Sequence, residues 1–151
     1  NNYVITLIDH LTNYPEGYCV ADKSAETVAK VLLEDFIPHH SYMQILLSER
    51  GTGNCNAVID LLTNDLNIAR VTTVPYHPSG NARIERYHRV MNDIIAKSVS
   101  GKDQRNWDKY VPFALMAYRT SISEGSLYSP YFLCYGGDQI CYGRGLHCEI
   151  Q

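Results

Sequence analysis

The spacing of apolar residues changes period along the chain, and that change restricts the fold more than any single residue does. Residues 3–9 alternate and are rich in Val, Ile and Leu, the two-residue period of a strand with one buried face. Residues 17–21, after the Asn13-Tyr14-Pro15 turn, read as the hairpin partner. From Ser24, a good N-cap, Val28, Val31, Leu32 and Phe36 recur at helical spacing, and Pro38 predicts a stop near Ile37. A short apolar run at 43–47 has the character of a buried strand. Asn54 then opens a second helix with Val58, Leu61, Leu62 and Leu66 inward, and residues 68–74, rich in β-branched side chains, predict a further strand. Past the Pro- and Gly-containing loop 75–80, a long helix is predicted over 81–98, with Ile84, Tyr87, Met91, Ile94 and Ile95 on its apolar face. Another is predicted over 107–118, with Val111, Leu115 and Tyr118 inward. From Ser123 onward Gly, Ser and Tyr are frequent and helix formers few. Strands, then alternating helix and strand, then helices describe a three-layer α/β domain.

Composition narrows the class without naming a function. A chain of 151 residues with 45% hydrophobic and 19% charged residues is an ordinary globular domain with a real core. No apolar run reaches the roughly 18 residues of a membrane span, and no secretory signal is visible. The chain opens directly in a strand, which implies an upstream part. A net charge of −3 argues mildly against a nucleic-acid partner. Positions 70–105 soften that, with seven basic residues (Arg70, Arg83, Arg86, Arg89, Lys97, Lys102, Arg105) against three acids (Glu85, Asp93, Asp103), although a solvated helix face accounts for them equally well. The five cysteines are scattered and no CxxC occurs, so neither a disulfide framework nor a structural zinc site is indicated. Reduced, mostly buried cysteines in an intracellular protein is the favoured reading, with a metal role for the Cys141, His147 and Cys148 cluster much less favoured.

Chemistry is concentrated in two acids, Glu49 and Glu85, with 35 residues between them. Glu49 follows the apolar run and precedes Arg50-Gly51-Thr52; Glu85 lies in Ile84-Glu85-Arg86, after Pro75-Tyr76-His77-Pro78. A carboxylate at a strand end and another on a helix can converge on a divalent ion, which takes oxygen ligands at about 2.0–2.1 Å if it is magnesium. Two-metal phosphoryl transfer needs ions roughly 3.5–4 Å apart and usually a third acid.

These stretches resemble the catalytic core of retrotransposon and retroviral integrases, particularly gypsy-type long-terminal-repeat elements. The landmarks run in order: Val4-Ile5-Thr6-Leu7-Ile8-Asp9-His10, Ser24-Ala25-Glu26-Thr27-Val28, Leu47-Ser48-Glu49-Arg50-Gly51-Thr52, Pro75-Tyr76-His77-Pro78-Ser79-Gly80-Asn81, Ile84-Glu85-Arg86, Ala117-Tyr118-Arg119-Thr120 and Ser129-Pro130-Tyr131. Each is weak alone; their order and spacing are specific. The resemblance implies a ribonuclease H-like three-layer fold with a mixed sheet, lacking its first, central strand. It implies a core-like domain over 1–137, truncated at its N-terminus, and a tail over 138–151. The implied activity is DNA strand transfer dependent on Mg2+ or Mn2+, with Glu49 and Glu85 as catalytic and metal-binding acids.

Two departures from the family pattern matter. Glu49 stands where the family has Asp, and the extra methylene, on the order of 1.5 Å, matters because about 1 Å of misplacement can cost on the order of a hundredfold in rate. The first family Asp falls upstream of Asn1; Asp9 is a weaker candidate, with capping of the following turn as its plain role. A sheet without its first strand predicts either a gap between residues 3–9 and 43–47 or direct pairing of the two. The alternative reading is a domesticated or decayed module that binds DNA or protein without catalysis. His77, Asn81, Arg83, Arg86 and Arg89 are candidate DNA contacts by resemblance, against loop rigidity for His77, helix capping for Asn81 and charge compensation of Glu85 for Arg86. Tyr118 and Arg119 are expected to pack and pair within the core, and His39 and His40 to interact with a helix dipole. DNA is the expected partner, a homo-oligomer is possible, no membrane is involved, and action on chromosomal DNA implies the nucleus.

Overall fold

A computed structural model describes residues 1–48, 53–72, 78–101, 104–122 and 126–137, with backbone alone at 53–56, 72 and 78–83. Strand β1 (Tyr3–Ile8) and strand β2 (Pro15–Val20) form an antiparallel hairpin in which Thr6 faces Gly17 and Ile8 faces Pro15. Asn13 takes the left-handed conformation in the connecting turn, φ 58°, which asparagine tolerates. Ser24 caps α1 (Ala25–Lys30) as expected, its Oγ accepting from Thr27 N at 3.2 Å.

The predicted stop at Pro38 does not occur. The chain widens into a π-helical stretch over Val31–Phe36, and α2 (Ile37–His40) carries it on to Ser41. Pro38 falls in the first turn of α2, where a missing N–H costs least.

Strand β3 (Ile45–Ser48), helix α3 (Gly53–Asp65) and strand β4 (Ala69–Thr72) form a parallel crossover unit in which Ile45 pairs with Ala69 and Ser48 with Thr72. Asn54 lies inside α3 rather than ahead of it. Leu61, predicted inward, is 66% exposed, while Ile59 and Thr63, one helical step of four apart, are buried. Thr63 tolerates burial because its hydroxyl donates to Ile59 O at 2.9 Å.

Helix α4 (Pro78–Val99) begins three residues before its predicted start, since proline suits a first helical turn. Asn81 therefore lies within the helix and does not take the capping position. The predicted helix over 107–118 divides into a 3-10 segment, Gln104–Tyr110, and α5 (Val111–Thr120), with Pro112 in the first turn of the latter. A short helix, α6 (Pro130–Tyr135), appears where none was predicted. Its punctuation is in the sequence: Ser129 Oγ accepts from Phe132 N at 3.1 Å, Pro130 opens the helix, and Gly136 closes it at φ 68°.

The core lies between the hairpin and the pair α4–α5. Tyr87 and Met91 of α4 meet Val111, Ala114 and Leu115 of α5, with Val4, Ile8 and Cys19 of the hairpin against them. Gly17 permits this approach, because a Cβ there would sit 3.3 Å from Leu115 Cδ1. Tyr118 packs edge-on against Tyr87 at 5.1 Å, as a core role requires. Helix α1 packs against α3, with Ala25 of α1 and Ile59 of α3 buried; Val31 and Leu32 of the π-helical stretch are buried as well.

Among the described residues the two strand pairs are separate sheets, and no ladder joins β1 to β3. Of the two arrangements expected, direct pairing of these strands is not found among the described residues. Strand β3 is not the buried strand predicted at 43–47: Ile45 is 62% exposed. Cys134, on α6, is likewise exposed rather than buried. No helix among the described residues is long and apolar enough to cross a membrane.

Arg119 fastens α5 to the hairpin. Its Nε and NH2 donate to Pro15 O at 3.0 and 2.8 Å, its NH2 pairs with Glu16 Oε2 at 2.7 Å, and its guanidinium lies 4.6 Å from the Tyr14 ring centroid. The other Glu16 oxygen meets His40 Nε2 at 3.0 Å, and the His40 ring stacks on Phe36. His40 thus does more than answer the helix dipole; it ties α2 to β2. Arg119→Leu leaves a largely buried Glu16 and the Pro15 carbonyl without their donor, so urea unfolding should show a loss of about 2–4 kcal/mol. A loss under about 0.5 kcal/mol, the range of ordinary surface changes, would show the contact to be incidental.

Candidate active site

Helix α4 turns Tyr87 and Met91 into the core and leaves Glu85, Arg86, His88 and Arg89 exposed. This follows from the period: the apolar stripe of Ile84, Tyr87, Met91, Ile94 and Ile95 takes one face, and the charged residues between its members take the other. Glu85 is thus a solvent-facing carboxylate on a rigid element, with two guanidinium groups within one turn of it along the helix. Carboxylate and guanidinium side by side can ligate a cation and clamp a phosphate.

The end of β3 is held independently. Ser48 Oγ accepts from Arg70 Nε at 3.2 Å, and Arg70 NH1 pairs with Asp60 at 2.6 Å. Arg70 therefore belongs to the scaffold, linking β3, β4 and α3 at the last residue of β3. Sequence reading placed Arg70 only in a basic run, since nothing local marks a partner 22 residues away.

Of the candidate residues, Glu85, Arg86 and Arg89 are exposed on α4. Asn81 and Arg83 are placed by backbone in its first two turns. Glu49 and His77 lie outside the described residues, as do Cys141, His147 and Cys148. Among the described residues no group of three or more His, Cys, Asp or Glu side chains is placed to hold a metal ion. The described part of the chain does not by itself form the divalent-ion centre expected from the sequence resemblance.

Asp9 is engaged elsewhere. Its Oδ2 accepts from Thr12 N at 2.8 Å and Thr12 Oγ1 at 2.6 Å, while Asp9 N donates to Tyr14 O and its carbonyl accepts from Asn13 N. It closes the hairpin turn as an Asx cap. Burial pushes the Asp9 carboxyl up, but the Thr12 side-chain and backbone hydrogen bonds, with one from Leu11, outweigh it and hold the group below the ordinary carboxylate range.

The fold built by these elements is the ribonuclease H-like fold of retroviral integrase catalytic cores. The crystal structure of the BIV integrase catalytic core domain superposes with a TM-score of 0.68, covering 87% of this chain and 86% of that one at 21% identity. An intasome of simian T-cell lymphotropic virus, solved with PP2A regulatory subunit B56 gamma, covers 95% of this chain and 52% of its own at TM-score 0.74 and 14% identity. In sequence the chain is homologous to retrotransposon and retroviral Pol polyproteins. It is 34% identical over 136 residues to the retrovirus-related Pol polyprotein of transposon 412 from Drosophila melanogaster, and 26% identical over 137 residues to the Gag-Pol polyprotein of woolly monkey sarcoma virus. Those matches cover 90% and 91% of this chain but 11% and 8% of the polyproteins, so the chain spans about a tenth of their length. No protein-family model matches it.

Asp9 sets an acid limit on the hairpin. Its carboxyl binds a proton more tightly in the unfolded chain (about 3.9) than in the folded one, so its stabilisation is complete above that value and fades as pH falls through the lower folded one. Asp9→Ala should cost about 0.5–1 kcal/mol at pH 7 and remove part of the stability loss below about pH 4. An unchanged acid limb in urea titrations at stepped pH would rule out this origin.

Proposed function

We propose that this chain is the catalytic-core domain of a retroelement integrase, acting on DNA by strand transfer and impaired by Glu49. The observation that carries the reading is the superposition on the BIV integrase core over most of both chains. The presentation of Glu85 beside Arg86 and Arg89 on one exposed stretch of α4 supports it. In this reading Glu49 and Glu85 are the acids that would hold Mg2+ or Mn2+. Arg83, Arg86, Arg89, His77 and Asn81 would contact DNA phosphates, which position the duplex without reading its sequence. Assembly with further copies follows from the likeness to an intasome, and action on chromosomal DNA would place the protein in the nucleus.

The impairment follows from side-chain length. One added methylene at position 49 displaces the carboxylate more than it weakens its affinity for a cation, so turnover suffers before binding does. With the chain extended upstream and assayed for strand transfer in Mg2+ or Mn2+, Glu49→Asp should raise the rate about ten- to a hundredfold, and Glu85→Gln should abolish it. Absence of turnover in the extended Glu49→Asp protein would instead favour a module that binds without catalysis.

DNA affinity provides a separate check. Arg89→Ala should weaken binding evenly across sequences and flatten the slope of log K against log salt by about one. A sequence-selective loss with an unchanged slope would count against a phosphate contact.

A further inference from the structure

Successive side chains of a strand alternate between faces, so Val4, Thr6 and Ile8 share one face of β1. Val4 and Ile8 pack against the core cluster of α4 and α5. Thr6, the polar member of that row, instead places its Oγ1 2.9 Å from His88 Nε2, the donor being set by the imidazole tautomer. His88 follows the fully buried Tyr87 and lies three residues after Glu85, hence on the same side of α4 and one turn along.

The contacts of α4 divide two degrees of freedom. Tyr87 and Met91, packed on Val111, Ala114 and Leu115, set how deep the helix sits. That close packing prevents a large roll, which would draw the fully buried Tyr87 outward, and leaves adjustments of a few degrees about the helix axis to directional contacts. The Thr6–His88 hydrogen bond is directional and lies off the packed stripe, so it resists roll directly. Roll matters for Glu85, since a side-chain tip about 5–6 Å from the helix axis moves by about 1 Å for about 10° of rotation. Displacement of about 1 Å at a reacting group costs on the order of a hundredfold.

We propose that His88, through Thr6, is a positioning residue that sets the roll of α4 and thereby aims the Glu85 carboxylate. The proposal rests on the reading of Glu85 as a reacting acid. It adds a contact that the pattern of acids does not contain, supplied by a strand 82 residues away.

The test uses Thr6→Val, which keeps the shape and removes the hydroxyl, together with His88→Leu and His88→Gln. In the extended protein carrying Glu49→Asp, Thr6→Val and His88→Leu should each lower kcat about ten- to a hundredfold and leave DNA affinity unchanged. The double variant should be no worse than either single, because one interaction is removed only once. His88→Gln, which can still reach the hydroxyl, should recover most of the rate. Full activity in Thr6→Val while Glu85→Gln is dead overturns the proposal and leaves the strand-transfer reading intact; activity retained in Glu85→Gln overturns that reading instead. A readout independent of turnover is the phase of the backbone N–H residual dipolar couplings along α4, which reports roll relative to the hairpin. Thr6→Val should shift it, and a roll below about 3°, some 0.3 Å at the side-chain tip, overturns the proposal even in a protein without activity.

Discussion

The guanidinium of Arg119 joins parts of the molecule that no apolar contact could align alone. It takes up the Pro15 carbonyl at the start of β2, the Glu16 carboxylate beside it and the face of Tyr14 before it, all from the last turn of α5. Hydrophobic burial draws α5 onto the hairpin but does not choose its sliding position. A fork of donors with fixed geometry does. With α5 in register, Leu115 meets the space left open at Gly17, and Ala114 and Val111 form the floor on which Tyr87 and Met91 seat α4. Glu16 extends the same knot to His40, so the end of the long first helical stretch is tied in as well.

The candidate site inherits its geometry from that chain of dependence. Glu85 is exposed because its neighbours Ile84 and Tyr87 face inward, and α4 is where it is because α5 holds it. The end of β3 is held by a different anchor, the Asp60–Arg70–Ser48 network. The two strand pairs, β1–β2 and β3–β4, share no ladder among the described residues. Their relative placement depends on helix packing rather than on sheet hydrogen bonds, a softer restraint, since packing contacts are individually weak and non-directional. A directional bond such as that between Thr6 and His88 has correspondingly more influence in such a frame.

Legibility in the sequence followed the range of each interaction. The hairpin, the Ser24 cap, the amphipathic stripe of α4 and the ordered landmarks around Glu49 and Glu85 all rest on neighbours within a few residues, and they were readable. Elements set by competition between local signals were misjudged. Pro38 looked like a stop but sits in a first turn after a widened helix, and α6 was hidden by its tyrosines despite the Ser129, Pro130 and Gly136 punctuation. Apolar character alone predicts Leu61 inward, but Thr63 takes a buried place on α3 because its hydroxyl is satisfied within its own helix.

Period and punctuation by themselves determined the hairpin, the first helix start at Ser24 and the apolar face of α4, opposite which Glu85 stands. Tertiary structure alone decided that Arg70 braces β3, that Asp9 closes a turn, that Arg119 and Glu16 hold α5 to β2, and that Thr6 meets His88. The reason is physical: helical and strand periods are properties of the local backbone, whereas each of these polar contacts joins groups brought together by folding and is specified by distance and angle, not by spacing along the chain. Asp9 shows the boundary most clearly, because its partners are local, yet only the folded turn reveals that its carboxylate takes up Thr12 N and Oγ1.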